Sequence, residues 1–382
     1  MPAAIAVRLR HAAWEQPVAP LDEPPGALLV GDLPLCRWQE RAAAAAGLAV
    51  VDVEAGLPLP TGARLAFTAD AVFSASAAAR LLAARDPFVQ AAIAPGTPLS
   101  RAVARMRGPD ALRVPLWAGA LQGRLAAVDA RPAAALDTAT PQVIADEQGA
   151  RAERVPPYGP APHVVEVPAV QRLCGEVTHW LEALELSLAA LATRRLELGL
   201  GEGKDRLGAK VDVHPTAYVS GSILEDGVRL EPHASVIDSF VGKGVLVADH
   251  SVIVGSVIGE GCRTLVDTSL RRVVAQPGST LSNLGLSDVI VGRDVFLTTA
   301  VSFYGPAPGH DVMVEGRDTG RALLGGAIGA RAVLGARALL AAGLALPPGI
   351  IVVSKPDEAA AKLDDAGLAR AHMQLGDRAR DF

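Results

Sequence analysis

The sequence predicts an α/β domain followed by a left-handed parallel β-helix, and three observations carry that prediction. Ser222-Ile-Leu-Glu-Asp-Gly returns as Ser239-Phe-Val-Gly-Lys-Gly and again as Ser256-Val-Ile-Gly-Glu-Gly, a repeat of 17 residues. Within it the apolar positions Leu224, Leu230, Val236, Val241, Val247, Ile253 and Ile258 step by 6, 6, 5, 6, 6 and 5. Upstream, short apolar runs alternate with alanine-rich stretches, the strand–helix–strand–helix order of an α/β layer with a mostly parallel sheet.

A step of six is neither the 3.6 of a helix nor the 2 of a plain strand. It fits a short strand and a sharp turn with one buried apolar residue per side, so that three sides close a triangular coil. Stacked coils then pair their backbones about 4.8 Å apart, as in any parallel ladder. Gly227, Gly244 and Gly261 recur where the turns fall, and Ala234 and Ser251 follow the apolar positions where a tight interior admits only small residues. This is the left-handed β-helix of hexapeptide-repeat proteins.

Four segments follow from this pattern. Residues 1–165 form the sheet domain, with strands expected in "GALLVG", "LAVVDV" and "RLAFTADAVF" and helices in "LCRWQERAAAAAG" and "SASAAARLLAAR". Residues 166–210 form a connecting helix with Leu173, Val177, Trp180, Leu184, Leu188 and Leu191 on one side, ending in a Gly-rich hinge. The Pro-rich run 154–163 before it is a linker or surface loop. The prism covers 211–353, resuming with Ile328, Leu334, Leu340 and Leu346 after an excursion at 303–322. Long loops on rigid scaffolds are where function concentrates. The tail, 354–382, is helix-prone.

Composition narrows the partners. Half of the residues are apolar, a fifth are charged, and the net charge is -5 with no Lys/Arg run, so nucleic acid and anionic membrane are excluded as main partners. Cys36, Cys174 and Cys262 match no metal spacing and suit a reducing cytoplasm. The segment 336–353 is apolar, yet Arg337 and Pro347-Pro348 mark it as soluble core rather than a membrane span.

Within residues 17–51, Pro20-Leu21, Pro24, Leu28-Leu29-Val30-Gly31, Pro34-Leu35 and Ala46-Gly47 follow in an order that resembles the opening of nucleoside-diphosphate-sugar pyrophosphorylase domains. "FTADAVFS" (67–74) is similar to that family's strand with a metal-binding Asp, here Asp70. With a helix and a β-helix behind it, the chain resembles the bifunctional N-acetylglucosamine-1-phosphate uridylyltransferase/glucosamine-1-phosphate acetyltransferase family. The resemblance implies a Rossmann-like, nucleotidyltransferase-like first domain and Mg²⁺ at Asp70. It also implies acyl-CoA (acetyl-CoA) as donor, a sugar phosphate or nucleotide sugar as co-substrate, and a homotrimer with sites between prisms, serving cell-envelope biosynthesis.

Both reactive centres depart from that pattern. The family's phosphate-binding Gly-rich loop falls on Ala12-Ala13-Trp14-Glu15-Gln16-Pro17, which adds bulk and negative charge where backbone N–H groups and a cation should meet phosphates. Pro25 stands where the family has Lys. In the acetyltransferase half, "TLSNLG" (280–285) places Thr280 at the position of the basic His, and Thr280 cannot take a proton near neutral pH.

Other histidines are therefore candidates. His310 sits mid-excursion beside Asp311; His233 and His250 lie 17 apart on an outward corner, followed by Asp267 one coil later. Either set offers a base and an orienting carboxylate, or a surface ladder. Arg271 and Arg272 are candidates for a phosphate or the coenzyme A pyrophosphate, or are simply solvated, and Tyr304 echoes a family loop residue. Three readings result: an acyl-CoA-dependent acyltransferase with an inactive nucleotidyltransferase domain, a non-catalytic sugar-nucleotide-binding regulator or scaffold, and an active sugar-1-phosphate nucleotidyltransferase.

Overall fold

In a computed structural model, the described residues are 4–85, 88–93, 98–108, 112–119, 121, 140–144, 150–155, 163–168, 173–281, 285–304, 310–354 and 373–375. The chain divides into two compact units, one containing Glu23–Glu197 with the chain up to Val18, the other Ala19–Asp22 with the chain from Leu198 on. Residues 156–162 of the Pro-rich segment lie outside the described residues, as do 282–284 of "TLSNLG", 305–309 of the excursion and most of the tail.

The first unit is a mixed α/β domain. Its six-stranded sheet runs in the order Ala49–Glu54, Ile5–Arg10, Ala63–Thr68, Arg113–Gly119, Phe88–Ile93, Thr140–Ile144. All pairings are parallel except those of Arg113–Gly119, which is antiparallel to both neighbours. The helix Leu35–Ala45 follows Pro34 and ends at Gly47, whose φ of 78° reverses the chain. The helix Ala75–Leu82 starts at Ser74, whose hydroxyl accepts from the Ala77 N–H at 3.2 Å. Alanines on both helices, Ala42, Ala43, Ala77 and Ala78, let the helices lie close over Leu65, Phe67, Val89 and Leu116.

Two expectations are corrected here. An inner strand of the sheet, next to its edge strand, is Ile5–Arg10, whereas "GALLVG" supplies only Leu29–Val30 of a small hairpin with Leu33–Pro34. The connecting helix begins at Trp180, because Cys174–Glu176 is a strand antiparallel to Ala71–Phe73. Glu182 then closes the helix start by accepting from both the N–H and the hydroxyl of Thr178 at 2.8 Å. The helix belongs to the first unit: the Ser187 hydroxyl bonds Gly31 N and Leu29 O, and Asp32 takes both Arg41 and Arg194.

The second unit contains three stacked sheets of short parallel strands, which fit a left-handed β-helix. One face stacks Ile223–Leu224, Phe240–Val241, Val257–Ile258 and Val274–Ala275, and a second Arg229–Leu230, Leu246–Val247 and Arg263–Thr264. The third stacks Tyr218–Ser220, Ser235–Ile237, Val252–Val254 and Ser269–Arg271. Leu224, Leu230, Val236, Val241, Val247, Ile253 and Ile258 all enter one buried cluster, with Ile328, Leu334, Leu340 and Leu346 at its far end.

Left-handed residues recur at all three corners. One corner runs Gly227, Gly244, Gly261 (φ 71°, 67°, 69°), a second Asp238, Gly255, Arg272, Asp288 (52°, 55°, 53°, 53°), and the third His233, His250, Asp267 (60°, 57°, 59°). Asp and His tolerate this region better than most side chains do. The excursion is an insertion between rungs, since Ile290 pairs with Ala327 and Ser302 with Leu339. It carries a hairpin, Met313–Val314 with Arg317–Asp318, turning through Glu315 and Gly316 at φ 50° and 74°. Of the tail, Met373–Leu375 is a strand antiparallel to Val352–Ser354, not a helix; it pairs with the last strand of the second face, which offers an open ladder.

Candidate functional site

The histidine corner is the arrangement in which the fold assembles candidate residues. The coil repeat carries His233, His250 and Asp267 up one edge, each in a left-handed conformation. The His233 and His250 rings stack with centroids 5.0 Å apart and planes 18° from parallel, close to the rung spacing itself. His250 Nδ1 lies 4.0 Å from Asp267 Oδ1, with both side chains exposed at 59% and 71%. One rung earlier, the Thr216 hydroxyl accepts from the His233 N–H at 3.0 Å and meets His214 Nδ1 at 2.9 Å. His214 is thus a turn residue, and the corner holds an imidazole between a second imidazole and a carboxylate.

The other candidates sit on other elements. His310 and Asp311 are both exposed ahead of the excursion hairpin, and Tyr304 is exposed on the strand Ser302–Tyr304. Arg271 is half-buried on the outer side of its strand. Arg272 is buried at the second corner, where its Nε donates to Asp288 Oδ1 at 2.6 Å, so its guanidinium is engaged by the protein rather than presented to a phosphate. Arg321, from the excursion, lies 3.9 Å from the same oxygen. The sequence reading missed Asp288. Its signal was the corner column itself, displaced by a coil one residue short: Val274 pairs with Ile290, 16 residues on.

Asp70 lies inside the first unit. It is buried in the turn between Ala63–Thr68 and Ala71–Phe73 and accepts from the Thr68 hydroxyl at 2.5 Å. The buried Gln39 amide fixes that turn by donating to the carbonyls of Thr68, Ala69 and Ala71. Among the described residues, no group of three or more His, Cys, Asp or Glu side chains is placed to hold a metal ion, so Mg²⁺ at Asp70 finds no support. Where the resemblance puts a phosphate loop, Ala12–Trp14 forms a short 3₁₀ turn with Trp14 buried, and Glu15 is tied to Arg10.

No protein-family model matches the chain, and no curated protein matches it. Among solved structures it is similar to a mutant of GDP-perosamine N-acetyl transferase from Caulobacter crescentus, in complex with CoA and GDP-perosamine, at 18% identity and a TM-score of 0.13. That match covers 40% of this chain and 56% of the other. Among the described residues, no helix is long and apolar enough to cross a membrane.

Proposed function

We propose that this chain is an acyl-CoA-dependent acyltransferase acting on a sugar phosphate or nucleotide sugar, with His250 as general base and Asp267 as its orienting carboxylate. The observation that carries the reading is the 4.0 Å approach of His250 Nδ1 to Asp267 Oδ1 on an exposed corner. At 4.0 Å the carboxylate is beyond hydrogen-bond reach of Nδ1; the reading requires the two to close by about 1 Å in the working enzyme, so that Nδ1–H donates to Asp267 and Nε2 is left to accept a proton. In the transfer, the acceptor amine or hydroxyl forms a bond to the thioester carbonyl carbon, and its proton passes to His250 Nε2. The C–S bond then breaks and the thiolate leaves as coenzyme A, reprotonated. A corner this exposed gives the His250–Asp267 approach little weight in the isolated prism. The reading therefore includes a homotrimer in which a second copy covers the corner and excludes water. Arg271, Tyr304, His310 and Asp311 are the further residues proposed to meet donor or acceptor.

The test is thiol release from acetyl-CoA in the presence of aminosugar phosphates and nucleotide sugars. His250→Ala is expected to lower the rate about 10²- to 10⁴-fold, the range for a lost general base. A wild-type rate in that variant removes the assignment.

The second reading, a non-catalytic sugar-nucleotide-binding protein, is favoured by the first unit alone, where buried Trp14 and the Arg10–Glu15 pair stand in place of a phosphate cradle. Calorimetric binding of nucleotide sugars with no thiol release separates it from the first. Pyrophosphate release from a nucleoside triphosphate and a sugar phosphate, lost in Asp70→Ala, would instead establish nucleotidyl transfer.

A further inference from the structure

We infer that His233 is a positioning residue for His250: its ring, rather than its nitrogens, holds the proposed base in line with Asp267. This inference rests on the acyltransferase reading. The backbone beneath the three residues is fixed rung by rung. His233 N–H donates to Thr216 Oγ1, His250 N–H to Pro232 O and Asp267 N–H to Asp249 O, each at 3.0 Å. The strands that follow are paired in strict register, Val236 with Ile253 and Ile253 with Leu270.

Backbone order alone does not fix an exposed side chain. An attraction across 4.0 Å at the surface is screened by water and no stronger than the rotamer freedom it must offset. Asp267 by itself therefore leaves the His250 ring a choice of rotamers. The His233 ring removes that choice by covering the opposite side, near-parallel at 5.0 Å. A ring face does this through contact area and needs no titrating nitrogen, so a phenyl group suffices.

His233→Ala is expected to lower kcat about 10- to 100-fold, with KM for donor and acceptor unchanged, the scale set by a misplaced catalytic group. His233→Phe should return kcat to within about threefold of wild type, with the pH profile unaltered. If the Phe variant is as poor as the Ala variant, or the Ala variant is as fast as wild type while His250→Ala is inactive, the inference is overturned and the acyltransferase reading stands. If His250→Ala is fully active, or no acyl donor releases thiol, both fall together.

An arm independent of turnover is the His250 ring proton resonance. Its upfield displacement by the neighbouring ring should vanish in His233→Ala and persist in His233→Phe. A resonance unchanged in His233→Ala would show that the rings do not stack in solution, which also overturns the inference.

Discussion

Arg272 and Asp288 meet at 2.6 Å inside a corner of the β-helix, both in left-handed backbone conformations and both nearly excluded from water. The Gly325 N–H donates to the Asp288 carbonyl at 3.0 Å, and Arg321 approaches its carboxylate, so this one residue joins the corner to the end of the excursion.

Replacing Asp288 with Asn keeps a residue that tolerates positive φ while removing the charge. It leaves the Arg272 guanidinium buried beside a neutral group, a loss of about 3–5 kcal/mol for a broken buried pair. Urea unfolding should show this loss in the β-helix transition. Proteolysis within 310–322 should accelerate as well, because the anchor of the excursion is gone.

The prism was legible because its first coils repeat regularly. Each rung spends one apolar residue per side, so Leu224 through Ile258 announce the core without any long-range information. The excursion announced itself by breaking that period. The sheet domain was less legible. Ile5–Arg10 is paired on both sides in the sheet but carries two arginines, Arg8 and Arg10, which are accommodated by Asp52 and Glu15, residues no local pattern connects to them. The His250–Asp267 approach was readable from the 17-residue spacing, whereas the Arg272–Asp288 pair was hidden by one missing residue in its coil.

Along the same corner that holds Arg272 and Asp288, serine hydroxyls connect the rungs. Ser239 N–H donates to Ser222 Oγ, Ser256 N–H to Ser239 Oγ and Val273 N–H to Ser256 Oγ, at 3.0–3.2 Å. Ser256 is fully buried, so Ser256→Ala strands the Val273 N–H where water does not reach. The expected cost is about 1–3 kcal/mol. Hydrogen exchange should accelerate at the Val273 amide relative to the Ser239 amide, whose acceptor is untouched.

The three cysteines divide by burial. Cys174 and Cys262 are free thiols in the two cores, with burial pushing their pKa values up to about 12 and about 11 respectively; Cys36 is partly exposed. The thiolate is the reactive form, so both buried groups are protonated and shielded at neutral pH. A thiol reagent at pH 7.5 should therefore label Cys36 in the folded protein and the other two only after denaturant is added. Labelling of Cys262 at the rate of Cys36 in the native state would contradict the packing of the prism.

Arg8 and Asp52 face each other across adjacent parallel strands and bond twice, at 2.7 and 3.2 Å. Hydrogen bonding from Arg8, with its charge, holds the Asp52 carboxyl below its ordinary 3.8 despite some opposing desolvation. A depressed folded-state pKa contributes stability that is fully present above the unfolded-state value and is lost as pH falls through the folded-state one. The Asp52 side chain is 42% exposed, so solvent screening limits the pair to about 0.5–1 kcal/mol. Asp52→Asn should thus lower stability by that amount, uniformly from pH 6 to pH 8. The gap to wild type should close in acid, below the ordinary carboxylate range, and shrink with added salt. Paired urea titrations across that range measure it, and a gap that widened in acid would reverse the sign assigned to Asp52.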